Sequence, residues 1–239
     1  MNAIFPDAVR FVSEQVPQEI PITDSIYRSL FIRTKAKGFN SQKLKLTNIG
    51  VYSMAPPLYT TRLYKLIISL FQADGYTGNQ LENIVVTDAM ANCGGSTIMF
   101  ALHFRKTNAV EIVPLHYDIL RNNLTQYNLL NRVNTICSDY MDVMFSLKQD
   151  VVFFDPPWGG KSYCEKDVMS LTMNNINIVR VIKAILPKTK YVLLRIPYNY
   201  RLADLNDLDV PANRISHHVL LASRNPKWRF IVVVIRGEL

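Results

Sequence analysis

The 239-residue sequence predicts an α/β fold: a seven-stranded, mostly parallel sheet with an antiparallel edge hairpin and a small N-terminal helical extension. Three observations predict it. From about residue 82, short β-branched runs alternate with longer stretches of helical character. The runs are continuously apolar, as in strands covered on both faces of a parallel sheet. The last two runs are separated only by SRNPK, a turn short enough for an antiparallel hairpin.

The elements follow in order. ENIVVTDA reads as a buried strand ending at Asp88, and 96–105 as a helix. NAVEIV is the second strand and 115–130 the second helix. RVNTIC is the third strand, followed by a short helix over 141–147. DVVFFD is the fourth strand, ending at Asp155, and 165–186 suits a longer helix. KYVLLRI, ISHHVLLA and WRFIVVVI complete the sheet. Residues 1–75 carry helices near 6–16, 24–33 and 58–73, with Lys35, Lys37, Lys43 and Lys45 on a loop between them. We expect this segment to pack on a core domain formed by 76–239.

Composition narrows the function. Lys and Arg number 27 against 19 Asp and Glu, a net charge of +8, which favours polyanionic partners. Cys93, Cys137 and Cys164 form no CxxC pair, and an odd count argues against a disulfide framework. The four histidines offer no metal-ligand spacing except the adjacent His217 and His218, which point differently on any regular element, so no metal is expected. The N-terminus is too polar for a signal peptide, and no apolar run reaches the roughly 18 residues of a bilayer span. The expectation is a soluble intracellular monomer with no membrane partner.

Two regions carry chemistry. In open parallel sheets, ligands bind beyond the carboxyl ends of the strands. There, VVTDAMANCGG ends a strand in an acid and enters a helix through Gly94 and Gly95, which permit close backbone approach. It is no clean GxGxxG and lacks a Walker A lysine. Asp88 could attract the ammonium of an amino-acid moiety. Glu111 could accept from both ribose hydroxyls, and Asp139 from an adenine amine. Glu111 alone can also be read as a solvated strand-end carboxylate, and Asp139 alone reads equally as a bland one. Together, at three successive strand ends behind a glycine loop, they describe an S-adenosylmethionine pocket.

The second region is DPPWGG at 155–160, directly after VVFF. An exocyclic amine on an aromatic ring is a poor nucleophile, because its lone pair is delocalised. The Asp155 carboxylate and the Pro156 carbonyl can accept its N–H groups and turn the lone pair toward a methyl donor. Pro156 and Pro157 fix the backbone that holds those acceptors. Rate then comes from positioning and electrostatics, and Trp158 offers a face for the base.

DPPWGG followed by Tyr163 resembles the trimethylguanosine synthases, the RNA cap guanine-N2 methyltransferases. DAMANCGGSTIMFAL, Glu111 with Pro114, RNN at 121–123, SDY at 138–140 and VYSMAPP at 51–57 fall in that family's register. The resemblance covers roughly residues 48–175. It implies a class I methyltransferase, Rossmann-like fold, with S-adenosylmethionine as cofactor, S-adenosylhomocysteine as product and 7-methylguanosine-capped RNA as partner. By the resemblance, Ala55, Asp88, Ala89, Gly94, Glu111, Ile112, Asp139, Tyr140 and Asp155 hold the cofactor. Asn123, Asp155, Pro157, Trp158, Tyr163, Lys43, Lys45 and Arg195 contact the cap. The setting would be the nucleus or cytoplasm of a eukaryotic cell, or a virus. The chain departs from the family at Asn92, where a glycine is usual, at Glu111, longer than the usual Asp, and at Tyr198, where a basic residue is favoured. Arg195, Arg201, Lys227 or Arg229 could serve the phosphates in place of that basic residue. Two other readings stay open: an amino-methyltransferase acting on adenine, and an inactive cap-binding module.

Overall fold

The computed structural model describes residues 16–22, 28–35, 38–221 and 229–239. It is a mixed α/β protein with a seven-stranded, mostly parallel sheet. The described chain divides into two compact units, within Gln15–Tyr140 and within Met141–Leu239.

In the first unit, β1 (Glu19–Ile20) pairs antiparallel with β2 (Leu46–Thr47). Helices α1 (Gly50–Ser53), α2 (Pro57–Ala73) and α3 (Asn79–Glu82) follow. Strands β3 (Val85–Asp88), β4 (Lys106–Glu111) and β5 (Val133–Cys137) then run parallel in the order β3-β4-β5. Between them lie α4 (Gly95–His103) and α5 (Pro114–Gln126), and the short α6 (Tyr140–Val143) follows β5. Both α2 and α5 start on a proline, whose missing N–H is no loss in a first helical turn. Phe31, Leu44, Leu46 and Met54 share one buried cluster with Cys93, Ile98, Ile119 and Leu120. The N-terminal segment is thus part of this unit's core.

In the second unit, β6 (Val151–Phe154) lies parallel to β9 (Tyr191–Ile196). β11 (Phe230–Arg236) pairs antiparallel with both β9 and β10 (Ile215–Leu221). All four residues of β6 and all six of β9 are buried, the physical counterpart of their largely apolar runs; the buried charge in β9 is Arg195.

Three expected helices need correction or comment. Of the helix expected over 165–186, only α7 (Ile178–Ile185) forms as a regular α-helix. Before it, β7 (Thr172–Met173) and β8 (Ile176–Asn177) make a small antiparallel hairpin. Asn174 and Asn175 turn it at φ 47° and 65°, the left-handed pair of a tight hairpin that asparagine tolerates. Asn177 then caps α7 by accepting from Val179 N at 2.9 Å. The helix expected near 24–33 falls partly outside the described residues. Its described part leaves helical geometry after Arg28, as Phe31 enters the core. The helix near 6–16, Lys37, Lys227 and the SRNPK turn lie outside them, except that Val16 is not helical.

Candidate active site

In the first unit, Asp88, Glu111 and Asp139 stand at or just beyond the carboxyl ends of β3, β4 and β5, and all three are buried. Asp88 Oδ2 accepts from Thr97 Oγ1 of α4 at 2.7 Å. The loop between β3 and α4 passes through Asn92 (φ 48°) and Gly94 (φ 101°). Asn92 holds its left-handed turn by accepting the next amide, Cys93 N, on its own side chain at 2.7 Å. The chain therefore does without glycine at 92.

Glu111 fastens this loop. One carboxylate oxygen accepts from Asn92 N at 2.7 Å and the other from Val113 N at 2.8 Å. A longer acid than aspartate spans that gap between two segments. Its Oε1 also lies 3.7 Å from His116 Nδ1, while His116 Nε2 is 3.1 Å from Thr47 Oγ1. Thr47 in turn accepts from Gly50 N at 2.8 Å. The relay ties the ribose-site candidate to the start of α1; no sequence signal marked His116 or Thr47. Buried beside them, the Cys93 thiol is pushed up to about 11 by desolvation and stays protonated.

Gly95 lies so close to the segment 54–55 that an added Cβ would stand 3.2 Å from Ala55 O and 3.3 Å from Ala55 N. Ala55, Ala89 and Tyr140 are buried, and Ile112 is exposed. Gly94 is the more stringent position. An added Cβ there would meet Leu120 Cδ1 at 2.9 Å, on a backbone at φ 101°. Gly94→Ala is expected to destabilise the protein by about 1–3 kcal/mol, read as a lower urea midpoint, and to weaken cofactor binding in calorimetry.

Asn123 is fully buried. Its amide nitrogen donates to Lys45 O at 3.0 Å and Cys93 O at 2.9 Å, and its oxygen accepts from Lys45 N at 2.8 Å. The side chain named for the cap from sequence is engaged inside the unit as a brace. Lys45 Nζ pairs with Glu19 at 3.0 Å, and Lys43 and Lys35 are exposed.

In the second unit, Phe154 of β6 stands in register with Leu194 of β9, so the next residues, Asp155 and Arg195, come together. Arg195 Nη1 lies 2.6 Å from Asp155 Oδ2. Burial raises the Asp155 carboxyl above its ordinary range, and the Arg195 charge and hydrogen bond pull it back part of the way. The guanidinium carbon sits 4.8 Å from the Trp158 ring centroid and 4.2 Å from that of Phe230. Pro156 is buried and Pro157 exposed. Gly159 follows Trp158 at φ 84°, which turns the chain into the short 3₁₀ segment Gly160–Glu165. Tyr163 on that segment meets Trp158 edge-on, with centroids 5.1 Å apart. Desolvation pushes its phenol up to about 12, so it is neutral at physiological pH. Asn199 pins the segment by donating to Tyr163 O and Lys166 O, and Tyr198 donates to Cys164 O at 3.3 Å. Phe230 and Asn199 lay in predicted strands or loops with nothing in the sequence to mark them, and Tyr198 was marked only as a departure from the family.

Among the described residues no cluster of three or more His, Cys, Asp or Glu could hold a metal ion. No described helix is long and apolar enough to cross a membrane.

A mostly parallel α/β sheet with acids at its strand ends and an Asp-Pro-Pro-Trp turn after β6 defines an enzyme class, the methyltransferases. The fold is shared with solved structures: the protein resembles an rRNA methylase from Streptococcus thermophilus with a TM-score of 0.52 at 13% identity, over 77% of this chain and 99% of that one. The RNA cap guanine-N2 methyltransferase family matches residues 83–237, and the chain belongs to that family. It is 32% identical over 132 residues to the trimethylguanosine synthase of Schizosaccharomyces pombe, covering 53% of this chain and 50% of that one. It is 33% identical over 126 residues to the uncharacterized protein L320 of Acanthamoeba polyphaga mimivirus, covering 51% and 49%. The chain thus spans about half the length of these relatives.

Proposed function

We propose that the protein transfers a methyl group from S-adenosylmethionine to the exocyclic N2 amine of the 7-methylguanosine cap of RNA, giving di- or trimethylguanosine caps. The observation that carries this reading is the DPPWGG turn after β6, which presents Asp155, the Pro156 carbonyl and Trp158 from one rigid loop inside the family-matched region.

The donor set of the first unit fits the cofactor. Its ammonium, ribose diol and adenine amine all donate hydrogen bonds. The candidate partners Asp88, Glu111 and Asp139 are acceptors. When bound, S-adenosylmethionine supplies an electrophilic methyl group on a sulfonium. Glu111 is aimed by its two backbone donors, and Gly94 and Gly95 let the loop approach without side chains in the way. Asp155 and the Pro156 carbonyl accept from the N2 amine and orient its lone pair. The amine proton leaves readily once nitrogen has become cationic, so no strong base need act first. Trp158 stacks on the base, and Tyr163 buttresses Trp158 from its edge. The exposed Lys35 and Lys43 suit the cap triphosphate, as does the net charge of +8. We take the protein to work on capped RNA as a monomer, and its fission yeast and viral relatives suit a eukaryotic or viral setting.

The test is methyl transfer from S-adenosylmethionine to a 7-methylguanosine cap dinucleotide, with unmethylated cap and uncapped oligonucleotide alongside, followed by mass. A gain of one or two methyls on the 7-methylated cap alone is expected. Transfer to uncapped oligonucleotide would move the reading to an adenine amino-methyltransferase. Cofactor binding without turnover on any acceptor would leave a binding module.

Trp158 offers a second measurement. 7-Methylguanine carries a positive charge that unmethylated guanine lacks, and a desolvated cation–π stack is worth about 1–2 kcal/mol. Trp158→Ala is therefore expected to raise KM for the 7-methylated cap roughly 5- to 30-fold, whereas Trp158→Phe retains most of the affinity.

A further inference from the structure

Arg195 is a cation that the proposed reaction has not used. It is only 6% exposed, so it does not reach into solvent as a phosphate-binding arginine would. It comes from β9, whose parallel register with β6 delivers it beside the motif acid. Its Nη1 is 2.6 Å from Asp155 Oδ2, and Trp158 and Phe230 both lie within cation–π range of its guanidinium. A planar, weakly hydrated cation suits this place between rings and carboxylate in a way an ammonium does not.

We propose that Arg195 is a positioning residue that acts through Asp155: it keeps the motif carboxylate ionised and aimed, and it does not hold the cap triphosphate. The inference rests on the proposed N2 transfer for its kinetic consequence, but its structural content stands apart from any substrate. An isolated buried carboxylate escapes its desolvation cost by taking up a proton. Protonated, Asp155 would present a donor on one oxygen where the amine needs acceptors. Among the described residues of this unit, the charge acting on Asp155 is that of Arg195 on β9. Tyr163, on the adjoining 3₁₀ segment, is neutral at physiological pH. Removing Arg195 leaves burial unopposed and raises the Asp155 pKa further. An ionised Asp155 is the active form, so activity is lost as pH falls through that pKa. The acidic limb of kcat/KM must then move to higher pH.

The experiment compares wild type with Arg195→Met, Arg195→Lys and the double variant Arg195→Met/Asp155→Asn. Infrared difference spectroscopy at neutral pH needs no substrate. A protonated-carboxyl band is expected in Arg195→Met, absent from wild type and lost again in the double variant. With the 7-methylated cap dinucleotide, the acidic limb of Arg195→Met is expected about 1–3 pH units above that of wild type. The Arg195→Lys limb should fall between the two. If Arg195→Met does not fold, Arg195→Lys carries the same comparison. No new carboxyl band, together with a KM that rises with the number of cap phosphates and an unmoved pH profile, would overturn the assignment. Should wild type fail to methylate any cap, the N2 reading fails, and the infrared arm alone decides the inference.

Discussion

Asp155→Asn is expected to lower kcat about 100- to 1,000-fold, the scale of losing one preorganised electrostatic partner of the reacting group. The substitution keeps the shape of the side chain and a neutral hydrogen bond to Arg195. The loss should therefore appear in turnover more than in folding. Asparagine offers one acceptor and a competing N–H₂ in place of a charged carboxylate, and it cannot draw an amine proton forward as positive charge builds on nitrogen. KM for the cap should change little, because Trp158 still supplies the stack. The pH dependence adds a sign. Burial holds the Asp155 pKa above the ordinary aspartate range despite Arg195. Wild-type activity should fall on acidification at a higher pH than a solvated aspartate would allow, and that limb should vanish from the residual activity of Asp155→Asn. Single-turnover rates across a pH series measure both. A variant with an unchanged rate would remove Asp155 from the chemistry.

Asn123→Ala is expected to be the most destabilising of the substitutions considered, by about 3–4 kcal/mol. Three backbone groups lose their partner at once: Lys45 N, Lys45 O and Cys93 O. A stranded buried group costs about 1–3 kcal/mol, and Asn123 itself is fully buried. The loss is a large fraction of the 5–15 kcal/mol that holds a typical domain together. Urea unfolding of the pure protein, read by circular dichroism, gives the figure. A shift under about 1 kcal/mol would mean that the brace contributes little. Cap affinity of the folded fraction is expected to be unchanged, which separates this role from substrate contact.

Much of the fold was legible because burial on both faces leaves an unmistakable mark. The strands β3, β6 and β9 are buried throughout and mostly apolar, and each lies within three residues of its expected place. The hairpin of β10 and β11 followed from two such runs with a short interval. The helix α2 was expected at 58–73 and runs Pro57–Ala73, a gain of one turn-starting proline. Legibility failed where apolar residues served two geometries. Met169, Leu171, Met173 and Ile176 are all buried in the 165–186 stretch and read plausibly as a helical face. The information that mattered was Asn174-Asn175, a local backbone preference that outranked the period. Two-residue strands such as β1 and β2 carry too few positions for any pattern to show.

The candidate site divided along a similar line. Asp155 and Trp158 were visible because their neighbours in sequence are also their neighbours in space. Arg195 was named too, for a different reason, since its link to Asp155 depends on strand register. Asn123 was noticed for its motif position, but its contacts with Lys45 are 78 residues away along the chain. Long-range partnership of that kind leaves no trace in a single sequence.

The packing of Phe31, Leu44, Leu46 and Met54 against α4 and α5 has a consequence for how far the cohesive unit reaches. Kinship to the cap methyltransferases is written in residues 83–237. Yet Phe31, Leu44, Leu46 and Met54 fill the same interior as Cys93, Ile98 and Leu120, and Lys45 is stitched to Asn123 through its backbone. A chain trimmed to the inherited portion would open a greasy face and leave Asn123 reaching for absent partners. Ancestry and cohesion draw different borders here, and the segment with the fainter lineage is as much an organ of the enzyme as the motif it supports.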